Sequence, residues 1–391
     1  MSCWHPYTQH GIDPEPLRVA SARGAWLELE DGRRVLDAIS SWWCNVHGHG
    51  HPRLVRALAE QAERLDHVLF AGCTHKPAER LAAELTRRSG LDRCFYSDNG
   101  STAVEVALKM AYLAWQRRGE RGRTRFLALE GGYHGDTFGA MSVGDPNPFF
   151  EELSPLLFQV SRIDQEGLGE EIARGDVAAL IVEPIVQGAA GMRPVPAPFL
   201  REARRLCTAH GVLLIADEVM TGFGRTGTLF ACEQAGVVPD LMCLAKGLTG
   251  GMMPLAATLA TEEIYAAFLS TDRARALFHG HTFTANPLAC AVALASLDLI
   301  LENDVPARFR AIGERIAGGL PTESRRFGGI VAVGGGGYLS DALRNVCRER
   351  APDLLLRPLG SVLYAMPPAC TTMEECDRIA TGMTRVIEAV S

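Results

Sequence analysis

The chain has 391 residues, 47% hydrophobic and 22% charged, an ordinary composition for a folded globular protein with room for one large domain and a smaller one. Lys and Arg total 39 against 46 Asp and Glu, a formal charge of −7, so neither a nucleic-acid face nor a polybasic membrane patch is expected. The N-terminal MSCWHPYTQHGIDPEP lacks the layout of a signal peptide, and no apolar run is long enough to span a bilayer. Eleven cysteines without a CxxC pair, several in apolar runs (Cys94, Cys207, Cys243, Cys290), read as small core residues of a reduced, cytoplasmic protein.

Residues 24–46 read as a hairpin followed by a loop, with Trp26, Leu27 and Leu29 flanking the turn signal Asp31-Gly32. The segment 52–69 opens on Pro52 and carries Leu54, Leu58, Ala62 and Leu65 at helical spacing. From about 90 to 260, the apolar runs RCFYSD, RFLALE, VAALIVEP, GVLLIADE and LMCLAK alternate with helical or loop stretches. Runs apolar on both faces predict strands of a parallel sheet covered on both sides. A helix over 198–210 places Phe199, Leu200, Ala203, Leu206 and Cys207 on one face, and Gly211 closes it. A long helix over 287–302 leads to strand-like LLLRPLGSVLYAMPP and a terminal helix near 372–389. There is no internal repeat, and the glycine tract 334–337 reads as a loop.

Three strand ends carry chemistry. After RCFYSD, Val104, Ala107, Leu108, Ala111 and Trp115 form a helical stripe, and Thr102 with Glu105 reads as a capping box. Asn99-Gly100-Ser101 lies just before it, where free N–H groups, a positive dipole end and a hydroxyl suit a phosphate. GVLLIADE ends in Asp217-Glu218, carboxylates that are costly at a buried strand end without a cationic partner. LMCLA runs into Lys246, with Gly247, Gly250 and Gly251 behind it. A lysine at a strand end ordinarily keeps its ammonium in water. Here, if the runs share one sheet, Lys246 and Asp217 emerge at the same edge as Ser101. Amine, carboxylate and phosphate cradle are what pyridoxal phosphate needs: a Schiff-base partner, a partner for the ring nitrogen, and a phosphate anchor. The glycines leave the lysine room to move. Tyr133 and His134 follow RFLALE in a glycine-rich loop, where an aromatic can stack on a cofactor ring.

Other motifs count against other chemistries. Gly222-Phe-Gly224-Arg-Thr-Gly227 matches GxGxxG but neither follows its strand directly nor opens a helix, so a dinucleotide fingerprint is rejected. AMSVG has Ala140 where a nucleophile elbow requires glycine. His47, His49 and His51 alternate without a carboxylate or cysteine cluster, so no metal site is expected. Adjacent residues of an extended segment point oppositely, which would set one of Trp42 and Trp43 inward and one toward a pocket. Arg225 is either an anion contact or a loop salt bridge.

SDNGSTAVEVALKMA, GGYHGDTFGAMS, IVEPIVQGAAGM, LLIADEVMTGFGRTG, LAKGLTGG and HGHTFTANPLA together resemble the class III (fold-type I) pyridoxal-phosphate aminotransferases. WHPYTQ, SSWWCNVHGHGHP, GYHGDTFGAMSV and LRPLGSVLYAMPP resemble, within that class, the S-adenosylmethionine-dependent 7,8-diaminopelargonate aminotransferases of biotin synthesis. The resemblance implies an α/β fold: a large domain over 46–285 with a mostly parallel, seven-stranded sheet, and a small α+β domain over 286–391 joined by the segment 1–45. It implies Lys246 as the Schiff-base lysine, Asp217 against the pyridine nitrogen, Gly100 and Ser101 on the phosphate, and Tyr133 over the ring. Thr282 with His281 would reach the neighbouring subunit's phosphate, making the protein a homodimer. Tyr7, Trp42, Trp43 and Gly280 would border the substrate, and Arg357 would pair with its carboxylate. The expected reaction moves an amino group from S-adenosylmethionine to 7-keto-8-aminopelargonate. The alternatives are lysine as donor, or another class III ω-aminotransferase acting on ornithine, 4-aminobutyrate or similar amines. Two features depart from the family: His281 stands where many relatives have proline, and 327–350 matches poorly.

Overall fold

The computed structural model describes residues 2–146, 150–335 and 341–390. Its centre is a seven-stranded sheet in the order Arg93–Ser97, Ala256–Ala260, Leu241–Leu244, Leu213–Asp217, Val177–Val182, Arg125–Leu129, Val160–Ile163. Ala256–Ala260 is antiparallel to both its neighbours, and the other pairings are parallel. Successive residues face opposite layers. Ala128, Ile181 and Ile215 join the core under the helix Gly100–Arg118, whereas Leu127, Leu180 and Leu214 join that under Ala197–His210. Apolar runs without alternation therefore mark strands buried on both sides.

Val19–Arg23 pairs antiparallel with Trp26–Leu29, which pairs in turn with Arg34–Asp37 around Gly32, at φ +82°, and Leu354–Leu355 adds in parallel beside Arg34–Asp37. The N-terminal strands are thus completed from the C-terminal region. A three-stranded antiparallel sheet, Arg325–Phe327, Ile330–Val333 and Leu363–Ala365, packs with the helices Val305–Gly318 and Met373–Val390. The helix Pro287–Glu302 is apolar almost all round because Pro52–Ala62 and Lys76–Ser89 also pack on it. The divergent stretch holds the strand Ile330–Val333 and the helix Asp341–Arg350; Gly336 and Gly337 of the glycine tract lie outside the described residues.

Two local expectations change. The helix Gly100–Arg118 starts earlier than Thr102: Asn99 accepts from the Thr102 N–H at 3.1 Å, and Thr102 Oγ1 accepts from the Asn99 N–H at 3.2 Å. Asn99 is therefore the N-cap, and Glu105 instead accepts from the Gly139 N–H at 2.7 Å. Ser40–Trp43 is a tight kinked turn, not an extended segment, with Ser40, Ser41 and Trp43 at φ of +50°, +59° and +67°.

Candidate active site

The parallel strands put their carboxyl ends on one edge, which is where open α/β sheets bind ligands. Asp217 closes its strand opposite Cys243, one residue short of Leu244, and Lys246 lies two residues beyond. Lys246 is itself left-handed, at φ +42°. The glycines behind it answer a packing need rather than leaving open space. A Cβ at Gly247 would stand 3.0 Å from both Phe223 Cβ and Val46 Cγ2, and one at Gly250 would stand 2.8 Å from His47.

Lys246 lies between two cavities. The first, about 470 Å³, is lined by Lys246, Asp217, Gly100, Ser101 and Tyr133 with His134 and Glu183. The first-turn N–H groups of Gly100–Arg118 precede its hydrogen-bond ladder and face this space with the dipole's positive end. Two close approaches shape the cradle. A Cβ at Gly100 would lie 2.7 Å from Val219 Cγ1, and one at Gly135, where φ is +119°, would overlap Ser101 Oγ. Ser101 Oγ also accepts from the Asp136 N–H at 3.1 Å, which fixes the hydroxyl at the helix start. An anion cradle, a buried amine and an oriented carboxylate in one chamber fit pyridoxal phosphate.

The chamber's electrostatics are set by burial. Asp217 Oδ1 accepts from the Val219 N–H at 3.0 Å, and Oδ2 lies 2.7 Å from His134 Nδ1. Burial pulls the Lys246 amine below its usual pKa, against the opposing pull of Asp217 and Glu183. Glu183 is buried with one oxygen 3.2 Å from the Tyr133 N–H and the other 2.8 Å from the Gly188 N–H. Burial raises its carboxyl from the ordinary 4.5 to about 7.

The second cavity, about 490 Å³, shares Trp43, Cys44, Tyr133 and Lys246 with the first and adds Tyr7, Trp42 and Arg357. Trp43 is buried, stands 4.7 Å from Lys246 Nζ at its ring centroid, and donates from Nε1 to Tyr364 at 2.9 Å. Trp42 is more exposed, with Tyr7 packed edge-on at 5.6 Å and the Arg357 guanidinium over its face at 4.8 Å. Both tryptophans therefore line the pocket. Their turn is held by buried Asp37, which accepts from the Ser41 N–H at 2.8 Å and Oγ at 2.9 Å and pairs with His49 at 2.9 Å.

Asp136 joins the tyrosines: Tyr7 donates to it at 2.6 Å and Tyr133 at 2.9 Å. Asp136, Glu183 and Asp37 were not singled out in sequence. Asp136 stands three residues past Tyr133 in a glycine-rich loop, and only the fold brings Tyr7 to it. Gly280, His281 and Thr282 line neither cavity within one chain. Arg225 forms no ion pair among the described residues. Its buried guanidinium donates to the Pro367 carbonyl at 2.8 Å and Ser40 Oγ at 3.2 Å and lies over Phe309, so it ties the loop after Asp217 to the C-terminal region. The alternating histidines have separate structural partners: His47 pairs with Ser296 at 3.0 Å, His49 with Asp37, and His51 caps Pro52–Ala62.

The family model Aminotransferase class-III matches residues 7–387. The chain is 47% identical to the adenosylmethionine-8-amino-7-oxononanoate aminotransferase of Synechococcus elongatus, covering 99% of this chain and 98% of that protein. The Geobacter sulfurreducens protein of the same name is 41% identical, with 99% and 96% covered. Among solved structures, the Methanocaldococcus jannaschii aminotransferase of that name superposes with a TM-score of 0.93 at 34% identity, covering 99% and 97% of the two chains. An amine transaminase from an uncultivated Pseudomonas species, in its PLP-bound form, gives 0.94 at 32% identity, covering 100% and 99%. The expected fold-type I architecture is the one observed.

Gly135→Ala is expected to weaken pyridoxal phosphate binding about tenfold or more, because the new methyl group strains φ and displaces Ser101 Oγ. Cofactor titration at unchanged secondary structure checks it. Glu183 gives a pH signature. Its folded pKa is raised, so the folded state holds a proton that the unfolded chain has released above about pH 4.5, and stability falls as pH rises toward 7. Glu183→Gln should remove a decline of about 3 kcal/mol. Urea unfolding of the cofactor-free protein at pH 5 and pH 8 should show wild type losing more stability than the variant. The family model spans nearly the whole chain, and relatives this similar cover it almost end to end: the chain belongs to the pyridoxal-phosphate-dependent class III aminotransferases.

Proposed function

We propose that the protein transfers an amino group from S-adenosylmethionine to 7-keto-8-aminopelargonate, giving 7,8-diaminopelargonate for biotin synthesis. The observation that carries this reading is the second cavity. Tyr7, Trp42, Trp43 and Arg357, from the segments that resemble this subfamily, converge beside Lys246. Its relatives at 41–47% identity bear the corresponding name. Aromatic walls suit both substrates, because Tyr7 and Trp42 can face a sulfonium and can cover a methylene chain. Arg357 supplies a fork for a carboxylate.

Gly100, Ser101, Asp217 and Lys246 would hold pyridoxal phosphate. Bound there, it supplies a carbonyl that accepts the amino group and a ring that takes up the electron pair left at the reacting carbon. Lys246 Nζ carries the proton to and from that carbon, and burial favours the unprotonated amine that this duty needs. Asp217, oriented by the Val219 N–H and by His134, holds a proton on the ring nitrogen set against it. The Gly100 and Ser101 N–H groups and the Ser101 hydroxyl bind the phosphate. Trp43 and Tyr133 screen the amine from water.

The reading includes a cytoplasmic homodimer in which His281 and Thr282 complete the partner's cofactor site. Three features of their loop support it: His281 Nε2 is buried without a hydrogen-bond partner among the described residues, Thr282 is exposed, and Phe278 and Phe283 are 75% and 57% exposed beside them. Among the described residues no helix is long and apolar enough to cross a membrane.

Lys246→Ala should cut turnover by about a thousandfold or more while cofactor binding persists noncovalently. Product formation by purified variant and wild type measures this, and activity near wild type would remove Lys246 from the role. Arg357→Ala should leave the cofactor spectrum intact and raise the KM for the keto acid roughly ten- to a hundredfold, the worth of a charge-assisted contact. An unchanged KM would take Arg357 out of the site. Wild type unable to use the keto acid would shift the assignment to a general ω-aminotransferase.

A further inference from the structure

The second cavity contains a guanidinium beyond those the family resemblance supplies. Arg344, on the helix Asp341–Arg350 within the poorly matching stretch, lines the same space as Arg357, Trp42 and Lys246. Neither arginine has a hydrogen-bond or ion-pair partner among the described residues. Arg357 has the Trp42 face beneath it and, at longer range, the Tyr364 and Tyr7 phenols and Asp13. Among the described residues the one carboxylate lining the cavity is Asp136, and both its oxygens already accept from tyrosines, Oδ2 from Tyr7 and Oδ1 from Tyr133. Two cations therefore share a partly dry space in which the described residues offer them no free anion. They are close enough for Arg344 to depress the pKa of Arg357, after the larger effect of burial. Such an arrangement is unfavourable until a ligand brings negative charge.

We propose that Arg344 is a specificity-determining residue that works with Arg357 to grip the distal carboxylate of the keto-acid acceptor. This deepens the reaction assigned above and rests on it. The two substrates place their charge differently. The donor's carboxylate sits on the reacting carbon and so lies beside Lys246, and its remote part is a cation. The acceptor's carboxylate lies a full methylene chain away from its carbonyl. A second cation at the far end therefore favours the acceptor and offers the donor nothing. Two forks on one carboxylate also select a chain of the right length.

The test compares wild type, Arg344→Ala and Arg344→Lys with two acceptors, the keto acid and its methyl ester, and follows the donor half-reaction separately by the cofactor's absorption change. Arg344→Ala should raise the KM for the acid roughly three- to thirtyfold at nearly unchanged kcat, between the worth of an exposed pair and a buried charge-assisted bond. Arg344→Lys should recover part of that loss. With the ester, variant and wild type should agree within about twofold, and donor saturation should also be unchanged. An unaltered KM for the acid, or an equal loss with acid and ester, overturns the role of Arg344 while leaving the reaction intact. A matching loss in the donor half-reaction marks general distortion and overturns it too. Failure of wild type to use the keto acid overturns the reaction and this inference together.

Discussion

Everything at the site depends on burying a primary amine beside a carboxylate at one edge of a parallel sheet. Lys246 is withdrawn from water, which favours its neutral form, and Asp217 and Glu183 keep that shift in check. Neither side chain could be placed there alone at acceptable cost. The neighbouring parallel strands Leu213–Asp217 and Leu241–Leu244 deliver both to the same edge without further machinery. The carboxylate is then tied down by a backbone N–H and by His134 before any cofactor is considered. Preorganisation of this kind leaves little reorientation for the moment of reaction.

Close packing around that edge explains residues whose side chains take no part in the chemistry. Glycines at 100, 135 and 247 stand where Val219, Ser101 and Phe223 leave no space for a Cβ. Asp37 spends its carboxylate on a strained turn whose three positive φ angles set Trp42 and Trp43 in the wall of the second cavity. Arg225, buried and held down to about 9 by that burial, serves backbone carbonyls between the large sheet and the C-terminal region. Each is a polar or strained element that holds a working side chain in place from one layer away.

The two cavities divide the labour. The first carries an anion cradle and the carboxylates of Asp217 and Glu183. The second is walled by aromatic rings and ends in guanidinium groups. Lys246 opens on both. The tyrosine pair on Asp136 stands at their junction, and burial holds both phenols well above their usual pKa, so they remain hydrogen-bond donors across the working pH range.

Much of this was legible in the residues. Five large-sheet strands, those of RCFYSD, RFLALE, VAALIVEP, GVLLIADE and LMCLAK, were readable because strands buried on both faces cannot be polar, and several helix boundaries because proline and glycine punctuate backbone conformation; the part-buried edge strand Val160–Ile163 and the strand Ala256–Ala260 were not read. Lys246, Asp217 and Ser101 stood out because a charge or free N–H groups at the end of a buried strand need a purpose. What the sequence could not determine is what depends on long-range approach. Tyr7 meets Asp136 across 129 positions, and Arg344 meets the pocket from a helix with no motif of its own. The true N-cap, Asn99, differed from the expected one because two overlapping cap patterns compete locally, and the Gly139 N–H claims Glu105. Side-chain partners are settled by the folded chain, where desolvation makes each buried polar group find whichever group the topology brings within hydrogen-bond distance.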